Sequence, residues 1–358
     1  MSRFLLIDIG AGTMDLLYYD LETSLHFKAV SKSPVRCMAE KARDLPGNLV
    51  ITGIEMGGGL ISRILRERAR KAEVVMSMSA AATIHHDVER VRSMGVKVVK
   101  DQEADEMKNR VGYAHLAIAD LEIERLRNIV GGLGVPFSFD VVGVCAQDHG
   151  VPPEGVSPLD HRHGIFKAAL DESPFPDRLL YRDADVPQNL SRLRSIVKSA
   201  QLLPAKEIYV MDSGMAAILG ASMDSRARQK HRILIIDIAT SHTLGAALEG
   251  EEIAAFFEYH TSDLTPDRAE GLLGKLANGD LRHEDILREG GHGAYVRKAL
   301  GLQSVEIVVV TGPKRALILD STLPVTLGAP LGDNMMTGTV GLLEAIRRRK
   351  RLEPIHYA

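Results

Sequence analysis

Apolar positions at the start of the chain fall into three short runs, Arg3 to Ile9, Met14 to Asp20 and Leu25 to Val30, separated by a glycine-bearing turn and a polar turn. Runs of this length between turn residues predict strands joined as an antiparallel meander. The plan recurs at Arg232 to Ile238, Thr243 to Leu248 and Ile253 to Tyr259. It recurs in residues as well: RFLLIDI against RILIIDI pairs Arg3 with Arg232, Leu5 with Leu234, Ile7 with Ile236, Asp8 with Asp237 and Ile9 with Ile238. A chain of two similar halves is expected.

Apolar residues spaced three to four apart predict helices over Leu60 to Ala72, Leu121 to Leu133, Leu190 to Ala200, Pro266 to Ala277 and Gly338 to Arg348. Further strands are predicted over Asp140 to Ala146, Lys206 to Met211 and Val305 to Thr311. Repeated prolines between Gln147 and Pro204 predict a loop-rich insertion (147–204), and Ser79 to His115 (79–115) form a second candidate insertion. The resulting division is a first lobe over 1–225, a second over 226–331 and a helix over 332–348 returning to the first.

The full sequence of 358 residues carries a formal net charge of -3, which sets up no field for nucleic acid or a membrane surface. Its uncharged apolar runs are too short for a spanning helix, and the short run after Arg3 does not suit a signal peptide. Only Cys37 and Cys145 occur, so a disulfide framework, a cysteine zinc site or an iron-sulfur cluster has no raw material. A reducing cytoplasm is the expected location. The basic run Arg347 to Arg351 reads as a helix-end cluster.

The segment Asp8 to Asp15, D-I-G-A-G-T-M-D, stands where a tight turn joins two strands. Gly10 and Gly12 would let backbone N–H groups approach an anion, Ala11 lies between them, and Thr13 adds a hydroxyl. Asp8, ionised at neutral pH from a reference pKa of about 3.9, would suit a hydrated magnesium ion. A capped hairpin turn is the plainer alternative. Gly57, Gly58 and Gly59 ahead of a helix suggest either a backbone nest for phosphate or carboxylate or a flexible loop.

Five segments in fixed order resemble the actin-like ATPase superfamily of actin, sugar kinases and heat-shock chaperone ATPases. Asp8 to Asp15 and Asp237 to Thr243 resemble its two phosphate loops, and Met211 to Gly220 its first inter-lobe helix. Val308 to Arg315 resembles the adenosine loop and Gly332 to Leu343 the returning helix. The resemblance implies an α/β fold of two ribonuclease-H-like lobes around a nucleotide cleft. It further implies ATP with Mg2+, with Asp8, Asp212 and Asp237 as catalytic carboxylates, Asp8 positioning magnesium water and Asp212 orienting or deprotonating the attacking group. Phosphates would be held by Gly10 to Thr13 and by Thr240, Ser241 and His242, and adenosine by Gly312 and Pro313. The second loop departs from the superfamily's glycine pair, having Ala239, Thr240 and Ser241 in its place.

Histidine segments at Gln147 to Gly150, Asp160 to Gly164, Ser241 to Thr243, Glu258 to Thr261 and Gly290 to Ala294, with Thr52 to Gly59, are similar to a prokaryotic group within this superfamily. Some members of that group carry the label pyruvate-formate-lyase activating enzyme; the cysteine content here does not support radical iron-sulfur chemistry. His149, His242, His260 and His292 each fall at a predicted strand end or glycine-rich turn and are expected to converge on the cleft, as transition-metal ligands or as phosphate donors. Three functions are compatible: nucleotide hydrolysis or phosphoryl transfer to a small-molecule or protein acceptor, an ATP-gated protein-binding or enzyme-reactivating module, and metal-dependent chemistry through the histidines.

Overall fold

The two repeated meanders become the first three strands of two separate sheets in the computed structural model, which describes residues 2–357. In the first lobe β1 (Arg3–Ile9), β2 (Thr13–Asp20) and β3 (His26–Lys32) pair antiparallel. The chain then leaves this sheet. It builds a separate four-stranded sheet from β4 (Asn48–Gly53), β5 (Val74–Ser77), β6 (Lys97–Val99) and β7 (Tyr113–Ile118), parallel throughout and ordered β6-β5-β4-β7. It returns with β8 (Phe139–Ala146), β9 (Leu180–Arg182) and β10 (Ala205–Asp212), which complete the order β3-β2-β1-β8-β10-β9. β8 lies parallel to both β1 and β10.

The second lobe repeats the scheme with β11 (Arg232–Ile238), β12 (His242–Glu249), β13 (Glu252–His260), β14 (Gly293–Val296), β15 (Ile307–Thr311) and β16 (Val325–Leu327), ordered β14-β13-β12-β11-β15-β16. β15 is parallel to β11, as β8 is to β1. Both lobes are thus a β-meander extended by parallel strands: the repeat predicts two similar halves, and they are the ribonuclease-H-like lobes that the resemblance implies.

The pleat explains the near-continuous apolar strands. Along β1, Phe4 and Leu6 face a core that both lobes share, whereas Leu5, Ile7 and Ile9 face an outer core. Along β11, Ile233 and Ile235 face the shared core and Leu234, Ile236 and Ile238 the outer one. A strand buried on both faces loses the usual apolar-polar alternation.

Of the helices, α1 (Pro34–Asp44) and α2 (Leu60–Ala69) pack on the inserted sheet, which has its own core around Leu49, Ile51 and Met76. α3 (Ile123–Gly132) follows β7. The proline-rich stretch predicted as a loop-rich insertion contains an unexpected helix, α4 (Pro158–Glu172), and the expected one, α5 (Ser191–Ala200). Pro158 occupies the first turn of α4 behind the cap Ser157, where its missing N–H is not needed, so this proline starts a helix instead of breaking one.

α6 (Ser213–Ser222) and the returning α8 (Thr337–Lys350) cross in the shared core, while α7 (Pro266–Asn278) covers the outer face of the second lobe. The crossing is close because both helices present glycine. A Cβ on Gly220 would lie 1.8 Å from the Thr337 carbonyl oxygen, and one on Gly341 1.8 Å from that of Ala216. Among the described residues no helix is long and apolar enough to cross a membrane.

Candidate nucleotide and histidine cleft

The β1–β2 and β11–β12 turns are built alike. Gly10 N donates to Thr13 O at 3.0 Å and Ala239 N to His242 O at 3.1 Å, closing each three-residue loop. Ser33, at the end of β3, then ties back the first loop: its N–H donates to Gly12 O at 3.1 Å and its hydroxyl to Gly10 O at 2.7 Å. Thr261, at the end of β13, does the same for the second, donating from N to Ser241 O and from Oγ1 to Ala239 O, each at 2.9 Å. With these carbonyls held, the amides of Ala11, Gly12, Thr240 and Ser241 meet no protein acceptor among the described residues. Their residues line one cavity of about 1270 Å3 between the lobes. Successive free N–H groups at a turn form an anion nest.

Gly12 must be glycine for a further reason. A Cβ there would lie 2.5 Å from Thr240 Oγ1, so the two loops touch across the cleft.

Three carboxylates stand beneath the loops. Asp8 and Asp15 are cross-strand partners on β1 and β2, and Asp237 is the counterpart of Asp8 on β11. Asp8 Oδ1 accepts from Ser213 Oγ at 2.9 Å, and Gly338 leaves room for it, since a Cβ there would lie 2.0 Å from Asp8 Oδ2. Burial pushes Asp8 up to about 6, with Asp237 and Asp212 adding repulsion, so it stays ionised at neutral pH by a smaller margin than its reference value implies. Burial also raises Asp237, against a 2.7 Å hydrogen bond from Thr311 Oγ1.

Asp15 is pushed up to about 8 by burial and by Asp8, and its Oδ1 has no protein partner. Such an excess of buried carboxylate is what a divalent cation would neutralise, so the residues fit magnesium. Without metal, Asp15→Asn is expected to stabilise the protein. The folded pKa of Asp15 lies above its unfolded value, so wild-type stability is lost as pH rises from about 4 to about 8. The advantage of the asparagine variant should therefore grow across that window, read as urea midpoints at pH 5, 7 and 9; a constant difference would contradict it.

Gly312 and Pro313 border the same cavity. Gly312 has φ +89°, and a Cβ would lie 2.5 Å from Ile238 O, so glycine here seats the turn on the end of β11.

Asp212 does not reach the cavity as a free base. Its side chain caps α6 by accepting from Met215 N at 3.1 Å, and its Oδ2 lies 2.9 Å from Arg162 Nη2. Burial raises its pKa and Arg162 opposes that. The role of deprotonating an attacking group, expected from the resemblance, does not suit a carboxylate held in this way; Arg162, which borders the cavity, stands in front of it.

The four histidines come together. His242 on β12 and His260 on β13 are cross-strand neighbours, and Glu258 shares the face of His260 by strand alternation. His292 reaches them because its N–H donates to Glu258 O at 2.9 Å, just ahead of β14. Its Nε2 lies 3.0 Å from that of His260 and its Nδ1 3.3 Å from Glu258 Oε1. The ring of His242 is centred 4.6 Å from that of His292, and that of His149 5.9 Å.

Desolvation lowers His149 to about 3, helped by Arg162, and His242 to about 4. Burial disfavours the charge of Glu258 too, but Arg162, His292 and His242 overcome it and hold the carboxyl well below the usual range. His149 and His242 line the cavity with Glu258 and Arg162, and His260 and His292 stand against them.

Ser33 was outside every segment singled out in the sequence; Arg162, Glu258, Gln147, Thr261 and Asp15 fell inside such segments without a role of their own. Arg162 is fully enclosed on α4, pairing with Asp212 and with Glu258, whose Oε2 lies 3.3 Å from its Nε; Gln147 donates to Glu258 Oε1. The period-two spacing of Glu258 and His260 carried a signal for Glu258. Arg162 stands within the Asp160 to Gly164 segment, where the histidines rather than the arginine drew the reading.

The opposite wall comes from the inserted sheet. Glu55 to Gly59 after β4 and Thr83 to His86 after β5 line the cavity, together with Arg36, Arg66 and Arg90. These segments follow the carboxyl ends of parallel strands, where ligands bind in open α/β sheets. Two of the three glycines are packed: a Cβ on Gly57 would meet the Arg192 guanidinium at 2.6 Å, and one on Gly58 the Thr83 carbonyl at 2.7 Å, whereas Gly59, at φ +55°, has nothing within 4 Å.

Residues 56–317 match the family model DUF1786, described as "Putative pyruvate format-lyase activating enzyme". No curated protein matches the sequence. Among solved structures, a chain of the PilM-PilN type IV pilus biogenesis complex is similar with a TM-score of 0.41 and 13% identity over 98% of each chain. The ethanolamine utilization protein EutJ from Carboxydothermus hydrogenoformans gives 0.35 and 13% over 96% of this chain and 89% of that one. A Bacteroides thetaiotaomicron protein with actin-like ATPase fold gives 0.33 and 7% over 88% and 86%.

Proposed function

The chain belongs to the DUF1786 family, and from that premise and its actin-like ATPase fold we propose that it binds ATP with magnesium between the lobes and hydrolyses it or transfers its terminal phosphoryl group to an acceptor. The observation that carries this reading is the matched pair of turns whose carbonyls Ser33 and Thr261 tie back, leaving amides directed at one cavity above Asp8, Asp15 and Asp237. Magnesium, when bound, would neutralise these carboxylates and the phosphate oxygens. Gly10 to Thr13 and Thr240 to His242 would grip the phosphates, and Gly312 and Pro313 would border the adenosine. Asp212 would hold Arg162 toward the cleft. Arg36, Arg66 and Arg90 on the far wall suit an anionic acceptor.

The family's description does not extend to radical chemistry in this chain. A cluster needs three or four neighbouring thiolates, and the sequence supplies two cysteines, both free.

The contact of Thr240 with Gly12 favours a gated form of the same reading. Parting of the lobes would separate these two loops, which would couple nucleotide to the angle between lobes and serve an ATP-gated partner-binding module. Raising ATP with magnesium is expected to raise the melting temperature progressively, equivalent to about 2.7 kcal/mol at a hundred times Kd. Gly12→Val should abolish the rise, because its side chain meets Thr240. A melting curve of the wild type that saturating nucleotide leaves unmoved would refute nucleotide binding; turnover that appears only with an added partner would mark the gated form.

A further inference from the structure

We propose that His242, His260 and His292 form a site for one divalent transition-metal ion of the zinc class, separate from the magnesium carboxylates and opening onto the same cleft. Their ligand nitrogens all lie within 4.8 Å of one another. The Nε2 atoms of His260 and His292 are 3.0 Å apart. Two nitrogens on a tetrahedral ion at about 2.0–2.1 Å are about 3.3 Å apart, so this pair needs only a small separation to share a metal.

Two of the three rings have a polar group beside the nitrogen that would not ligate. His292 Nδ1 lies 3.3 Å from Glu258 Oε1, and His242 Nδ1 lies 2.8 Å from Ser241 Oγ. A carboxylate or hydroxyl partner on one ring nitrogen orients the ring and frees the other to ligate. Glu258 is itself fixed by Arg162 and Gln147.

The three histidines are also rigidly placed. His242 and His260 face each other across β12 and β13. His292 sits between Gly291 and Gly293, where a Cβ would meet Tyr259 at 2.6 Å and His283 at 2.4 Å respectively, so the chain is pinned on both sides. Three protein ligands leave a position for solvent or a phosphate oxygen, the arrangement of catalytic rather than structural zinc. His242, the first residue of β12 after the second phosphate turn, is the one of the three that lines the cavity, which sets the site beside the phosphate nest.

Cobalt(II) titrated into the full-length, nucleotide-free protein tests this directly, because a tetrahedral imidazole site gives visible d–d absorption. One equivalent should saturate the band. His260→Gln and His242→Gln, at partly exposed positions, should each weaken binding at least about tenfold while far-UV circular dichroism stays native. His231→Gln, outside the cluster, should bind as the wild type does. Absence of the band in folded wild-type protein, or unchanged affinity in both glutamine variants, would overturn the site.

Discussion

Replacing Arg162 by methionine is expected to destabilise the protein by about 3–5 kcal/mol, the range for breaking one partner of a buried ion pair. Arg162 is 4% exposed and stands between Asp212 at 2.9 Å and Glu258 at 3.3 Å, both also buried. Methionine fills much of the volume but leaves two carboxylates uncompensated. The defect should depend on pH. In the wild type Glu258 has a depressed folded pKa, so its contribution is present above its unfolded value and lost only as pH falls through the folded one. Without the guanidinium both acids prefer the proton. The gap between variant and wild type should therefore be widest at neutral pH and narrow on acidification, measured as urea midpoints at pH 7 and 4.5. A gap of the same size at both would show that Arg162 acts through packing alone.

Gly341→Ala should lose about 3 kcal/mol or more, at or above the upper end of ordinary overpacking. In an exposed helix the same change gains about 0.8–1 kcal/mol. Here the added carbon would fall 1.8 Å from the Ala216 carbonyl, and the backbone of α6 cannot yield as a side-chain tip would. Gly164 on α4 is the matched control, exposed and with nothing within 4 Å of its missing Cβ. Gly164→Ala should stabilise. The reading fails if the two variants shift the thermal midpoint in the same direction.

Much of the architecture could be read from the sequence because the repeated strands carry it in their residues. RFLLIDI and RILIIDI have the same succession of buried and partly buried positions. The helix limits were less legible where proline was involved, since Pro158 has opposite meanings at a first turn and in a helix interior. In the inserted parallel sheet Val74–Ser77 and Lys97–Val99 span four and three residues, too few for periodicity to speak, while the six-residue strands Asn48–Gly53 and Tyr113–Ile118 were long enough to read and went unread.

At the site, the glycines and histidines stood out by local context. Ser33 lies outside every singled-out segment; Thr261 and Arg162 lie inside histidine segments, but their own roles depend on partners far away in sequence. The caution attached to the second phosphate turn concerned missing glycines; the structure instead shows Thr240 packed on Gly12, a contact that needs a side chain there.

The place of the inserted sheet bears on the order in which the molecule can assemble. The hydrogen bond from Arg3 N to Asp140 beside the β1–β8 pairing joins residues 137 apart, whereas Thr311 to Asp237 beside β11–β15 joins residues 74 apart. Loop closure rises only slowly with length, but pairing that spans a whole foreign unit must wait until that unit has been made and has condensed. On the ribosome the opening meander therefore emerges with β1 as an unpaired apolar edge, and holds it open until β8 appears. The second lobe, made afterwards, spans no such foreign unit between β11 and β15. The bare edge of β1 is therefore where a slow or crowded synthesis would invite misassociation.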